Sequence, residues 1–199
     1  MSTSTKVMLA IVAAVTVLSI IGVIFGVMTH TEPGLMKVCW SDTDTAVYDC
    51  DGGDDLTWSR RSIPFSVETD GYVGEVQTSI DLINTQVGCD LLKYHETLES
   101  QPADISIASD GVMSRWDKRG GITWHLRDGN RLRARIELYA AGSMAQRIIV
   151  HELGHALGLA HDPFMASIMY KTQRDSSGRL ENVRFTDSDR SLLHSLYCN

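Results

Sequence analysis

Residues 151–162 read HELGHALGLAHD, three histidines and one glutamate among small and apolar side chains. Read as a helix, this stretch puts His151 and His155 four residues apart on one face, close enough to reach a single ion. Glu152 lies about 100° around that helix from His151, so its carboxylate reaches a water beside the ion rather than the ion itself. Gly158 is placed to end the helix in a left-handed turn that glycine adopts cheaply, letting the chain swing His161 back as a third ligand. Three protein ligands leave the fourth tetrahedral position open, which separates a catalytic zinc site from a structural one. At such a site zinc lowers the pKa of water to about 7 and polarises a carbonyl, while Glu152 takes the proton and hands it to a leaving amine.

Five fixed positions drawn at the chain's own residue frequencies match somewhere by chance on the order of 3 times in 100,000, so coincidence is a poor explanation. An ordinary packed helix would carry apolar residues where these ionisable groups stand.

Outward from the motif, Met144 to Leu157 keeps a helical pattern. Upstream, 63–68 (IPFSVE) reads as a strand, and Val73, Val76, Ile80, Ile83 and Val87 repeat at helical spacing up to Gly88. Ala103 to Ala108 and Gly121 to Arg127 are further strands. Leu132, Ala134, Ile136, Leu138 and Ala140 alternate, and Leu126 and Leu132 flank Asp128-Gly129-Asn130, which predicts an antiparallel hairpin. Thr186 and Asp189 form a capping-box pattern opening a last helix through Leu192, Leu193, Leu196 and Tyr197. Strands with helices among them make an α+β domain.

At 199 residues, 43% hydrophobic and 22% charged, the chain supports one compact core. A formal charge of −7 argues against a nucleic-acid binder, which needs a basic surface to release counterions. The basic stretches at Arg60-Arg61 and Arg131 to Arg135 are short and read as solvated surface.

Residues 7–28 carry no charge and would span roughly 33 Å as a helix, enough for a bilayer core. A retained anchor is expected, with 1–6 as a cytoplasmic tail and the bulk of the chain outside the cytosol; a cleaved signal peptide and a secreted product is the alternative. Gly22 and Gly26 have the spacing of close helix pairs, a pattern monomeric spans also show.

Cys39, Cys50, Cys89 and Cys198 form an even set without a CxxC pair, as expected of disulfides outside the cytosol. Of three connectivities, the preferred one joins Cys39 to Cys50 across a two-stranded ribbon in the juxtamembrane segment 29–57, and Cys89 to Cys198. Four buried free thiols are the alternative. The acidic run at 51–55 could cradle calcium, although it lacks the ligand spacing of an EF-hand loop and reads better as a solvated loop.

His151, Glu152, His155, Gly158 and His161 resemble the HExxHxxGxxH signature of the metzincin zinc peptidases, and Ser167-Ile168-Met169-Tyr170 is similar to that clan's Met-turn. Ala103-Asp104-Ile105, Met169-Tyr170 and the closing FTDSDRSLLHSLY are similar to the matrixin branch. The resemblance covers roughly 58–199 and implies a twisted, mostly parallel sheet with one antiparallel edge strand, an active-site helix, a Met-turn and a C-terminal helix. It implies one catalytic zinc on His151, His155 and His161, Glu152 as general base, and Met169 as a hydrophobic floor. An extended polypeptide substrate would pair along Gly121, Ile122, Thr123 and Trp124, and the stretch from Tyr170 on would wall a side-chain pocket. Asp162, Lys171 and Ser188 depart from the matrixin pattern, where Ser, Pro and Asp stand. With only His125 between 110 and 145, the extra structural zinc of matrixins is not expected, and His30, His95, His125 and His194 read as ordinary surface or strand histidines.

The function expected is a membrane-anchored zinc endopeptidase. The competing class is a zinc-bearing peptide-binding or adhesion module without turnover, against which Glu152 argues because ligation does not need it. A third reading is an enzyme acting on peptide crosslinks of a cell wall.

Overall fold

The computed structural model describes residues 35–41, 46–48, 53–59, 64–96, 103–109, 120–128, 131–139, 145–163, 166–170 and 184–198. In chain order the elements are β1 (Lys37–Trp40), β2 (Ala46–Tyr48), β3 (Asp54–Asp55), β4 (Phe65–Thr69), α1 (Val73–Val87), β5 (Leu92–Tyr94), β6 (Ile105–Ser109), β7 (Gly121–Asp128), β8 (Arg131–Leu138), α2 (Ala145–Ala156) and α3 (Asp187–Tyr197). Among the described residues no helix is long and apolar enough to cross a membrane, and the expected anchor at 7–28 lies outside them.

The main sheet has the order β5-β4-β6-β8-β7. β4 runs parallel to both β5 and β6, and β6 parallel to β8, while β7 is antiparallel to β8 with Leu126 opposite Arg133. This is the mostly parallel sheet with one antiparallel edge that the resemblance implies. Phe65, Val67, Ile105, Ile107, Ala134, Ile136 and Leu138 alternate onto its buried face and share one core with Val76, Ile80 and Ile83 of α1 and Ile149 and Leu153 of α2. β5 escaped the sequence reading because three residues are too few to show a period.

α1 spans the predicted residues and ends at Gly88, whose φ of 85° is left-handed and whose N–H bonds to the Asn84 carbonyl. α3 opens with the expected box: the Thr186 hydroxyl accepts from the Asp189 N–H, and the Asp189 carboxylate accepts from the Thr186 N–H. The two helices are joined where they end. His194 donates from Nδ1 to the Val87 carbonyl at 3.0 Å, and Cys89 is bonded to Cys198 as preferred. Cys39 is also disulfide-bonded; its expected partner Cys50 lies outside the described residues.

The amino-terminal ribbon gains a third strand. β1 pairs antiparallel with β2 and also with β3, so Asp54 and Asp55 of the acidic run stand in a strand rather than a loop, and Lys37 pairs with Asp55 at 2.6 Å. Met36, Val38 and Leu56 form a small second core, against which Leu132 and Ala160 pack. Ribbon and main sheet belong to one compact unit, Pro33–Asn199.

Because the Cys89–Cys198 bond closes a loop with a sequence separation of 109, replacing both cysteines by serine is expected to lower the unfolding free energy by about 2–5 kcal/mol. Urea melts of the two proteins measure it, and overlapping curves would contradict the expectation.

Candidate metal centre

The centre begins with the way α2 stops. Gly158 has a φ of 98°, its N–H bonds to the His155 carbonyl at 2.8 Å, and the Leu159 N–H bonds to the Gly154 carbonyl at 3.0 Å. This pair of bonds is a Schellman ending, which needs a left-handed residue at Gly158. A Cβ there would also sit 2.4 Å from the Leu56 carbonyl oxygen, so glycine is required twice over. The remaining carbonyls of the last turn find donors far away in sequence. Ala156 accepts from Trp58 Nε1 at 2.9 Å and from His125 Nε2 at 3.1 Å, Leu157 from the Tyr197 hydroxyl at 3.0 Å, and Gly158 from the Met36 N–H at 2.9 Å. Burial pushes the Tyr197 phenol up to about 12, which keeps it a donor.

With the turn held, the three histidines meet. His151 Nε2 and His155 Nε2 are 3.0 Å apart, His155 Nε2 and His161 Nε2 3.2 Å, with His161 exposed and the other two buried. A carbonyl only accepts, so His151 Nδ1 donates to the Ile168 carbonyl at 2.6 Å and His155 Nδ1 to the Leu159 carbonyl at 2.8 Å. Both rings therefore turn unprotonated Nε2 atoms toward one another, an arrangement that repels unless a cation sits among them. Burial pushes the His151 imidazole down to about 4 and the His155 imidazole well below its ordinary value, and the neighbouring rings add to both shifts. Neutral imidazoles with fixed tautomers are the ligating form, so the donor set fits zinc.

The turn after His161 closes the site from below. Asp162 donates its N–H to the Met169 carbonyl at 2.9 Å and bridges to Tyr170, so the residue that departs from the matrixin pattern begins the stitch to the Met-turn. Met169 is fully buried, and a Cβ on Gly154 would lie 2.5 Å from its Sδ, so the methionine packs where α2 has no side chain. Ser167 accepts from the Met169 N–H at 3.0 Å, and its hydroxyl points to Asp189 at 3.5 Å, tying the turn to α3. Burial raises the Asp189 carboxyl, while the bonds from Thr186 oppose that rise.

Of the expected substrate strand, Thr123 turns its side chain inward, its Oγ1 2.7 Å from Glu152 Oε2, and Gly121 lies against the same glutamate. Trp124 stands on the exposed face, and Tyr170 is half-buried. The residues after Tyr170 lie outside the described residues. His125 stands in a strand, one of the two places read for it, and is fully buried under the end of α2. The backbone acceptors Ile168 and Leu159 and the capping residues Trp58, Tyr197 and Met36 went unread, because a carbonyl's partner leaves no mark in local sequence.

Residues 114–198 match the matrixin peptidase family, a stretch that includes β7, β8, α2, the third histidine, the Met-turn and α3. No curated protein matches the chain. In motif, family match and converging imidazoles the centre is similar to that of the matrixin zinc metallopeptidases.

Burial holds the His125 imidazole neutral, with its pKa pushed down to about 4. The unfolded chain takes up that proton near pH 6.5, so the stability His125 confers is complete above that pH and is lost as pH falls towards 4. The loss reaches about 3 kcal/mol. His125→Gln, which keeps a donor for Ala156, is expected to flatten this slope in zinc-saturated urea melts between pH 4 and 7; parallel slopes would sink the assignment.

Proposed function

We propose that the protein is a zinc endopeptidase anchored through residues 7–28, with its catalytic domain outside the cytosol, that cuts extended polypeptides. The observation that carries the catalytic reading is the convergence of the ligand atoms of His151, His155 and His161 within 4.8 Å of one another, beside a buried glutamate that ligation does not require. Zinc held by these residues supplies a Lewis acid for the peptide carbonyl and lowers the pKa of a water to about 7.

The chain's own groups do the rest. The Ile168 and Leu159 carbonyls orient His151 and His155, so both rings are aimed before a metal arrives. Glu152 takes a proton from the attacking water on its carboxylate and returns it to the amine nitrogen as the peptide bond breaks. β7 ends the order of the five-stranded sheet and runs beside α2, so an extended peptide laid along it passes the glutamate with its backbone held and its sequence largely unread. The disulfides and the uncharged segment at 7–28 support placement at the outer face of a membrane.

Incubating the zinc-loaded protein with a proteome-derived peptide library and mapping new amino termini tests the activity. Cleavage is expected to vanish with chelator, return with zinc, and fall by roughly 100- to 10,000-fold in Glu152→Ala. Zinc-loaded protein that binds peptides equally well with and without Glu152 and cuts none would point instead to a binding module. For the anchor, the full chain is expected to stay with membranes through carbonate extraction, and release into the supernatant would refute it.

A further inference from the structure

The polarity of β7 is inverted for a strand covered by a helix. Its inward positions are Thr123 and His125, both buried, while the large apolar side chains of Trp124 and Leu126 are 38% and 37% exposed. Buried polar groups are retained where they have partners. That of His125 is the end of α2; that of Thr123 is Glu152.

Thr123 Oγ1 lies 2.7 Å from Glu152 Oε2 and 3.1 Å from the Glu152 carbonyl. A hydroxyl carries one hydrogen, and the backbone carbonyl inside a helix has its regular partner four residues on, so the nearer side-chain oxygen is the better acceptor. Gly121 meets the same side chain from another direction. A Cβ at that position would sit 2.9 Å from Glu152 Cγ and 3.0 Å from Oε1, and Gly121 is not in the left-handed region that would otherwise demand glycine. One residue of β7 contributes a hydroxyl and another contributes room, and between them they choose the rotamer of a three-torsion side chain.

We propose, on the peptidase reading of the site, that Thr123 is a positioning residue for Glu152: its hydroxyl holds Oε2, with Gly121 leaving space at Oε1, so that Oε1 faces the proton it must accept. A group fixed in advance loses no freedom at the moment of proton transfer. The constraint also links substrate to base, because the strand proposed to hold the peptide is the strand that holds the carboxylate.

The test uses the full zinc-loaded chain and the variants Thr123→Val, Thr123→Ser and Gly121→Ala. With a peptide that wild type cleaves, Thr123→Val is expected to lower kcat roughly 10- to 100-fold with KM and zinc content unchanged. Thr123→Ser, which keeps the hydroxyl and loses the methyl, should restore most of the rate, and Gly121→Ala should lower kcat while leaving the hydroxyl in place. Equal losses in the valine and serine variants, or losses in KM rather than kcat, would mean that Thr123 only packs β7 against α2 and would overturn the proposal. A second arm needs no turnover: calorimetric titration with acetohydroxamic acid, which gives up a proton to a nearby base as it chelates zinc. Its affinity is expected to fall about tenfold in Thr123→Val and to hold in Thr123→Ser. If wild type cuts no peptide, the peptidase reading fails while this arm still decides; equal affinities in wild type and both threonine variants reject the positioning role.

Discussion

The site depends on ending one helix within a single turn. α2 carries His151 and His155 on one face, and a further turn of helix would carry the chain past the point where His161 must return. Gly158 stops it, and the stop exposes the last carbonyls of a buried helix, each of which would cost roughly 1–3 kcal/mol without a partner. Trp58, His125, Tyr197 and Met36 supply those partners from four separate parts of the fold. The metal site therefore has supports much farther away in sequence than its ligands.

The same logic explains why so many polar groups lie in this core. His125, Thr123, Ser167 and Asp189 are all buried, and each bonds to α2, to the Met-turn or to the start of α3. None contributes by hydrophobic burial. They position α2 and the turn beneath it, and burial keeps the His151 and His155 imidazoles neutral, the state in which they can donate to a metal.

What the sequence made legible follows the range of the interactions. The motif could be read because His151 and His155 are placed by helix periodicity and Gly158 by backbone sterics, both local. The bounds of α1, the capping box at Thr186 and the β7–β8 hairpin were read for the same reason. β7 shows where that reading ends. Ile122, Trp124 and Leu126 alternate as core residues would, and nothing local says that Thr123 and His125 face inward instead. Their acceptors, on Glu152 and Ala156, lie about thirty residues away, and only the packing of β7 on α2 brings them together.

The ribbon carries this furthest. Residues 29–57 precede the stretch that matches the matrixin family, and on sequence they read as a juxtamembrane segment with a disulfide-closed ribbon. Yet Leu35 bridges to Leu159, Met36 bonds to Gly158, and the Leu56 carbonyl occupies the space a side chain at 158 would need. Leu159 in turn accepts from the ligand His155. A segment that only tethered a domain would have no reason to contact this turn, because tethering needs length and not register. Contact in register with the turn between His155 and His161 makes the residues that flank the ribbon a structural support of the candidate metal centre. A displacement of Leu35 or Met36 would be felt first at Leu159 and Gly158, and through the Leu159 carbonyl at the ring of His155.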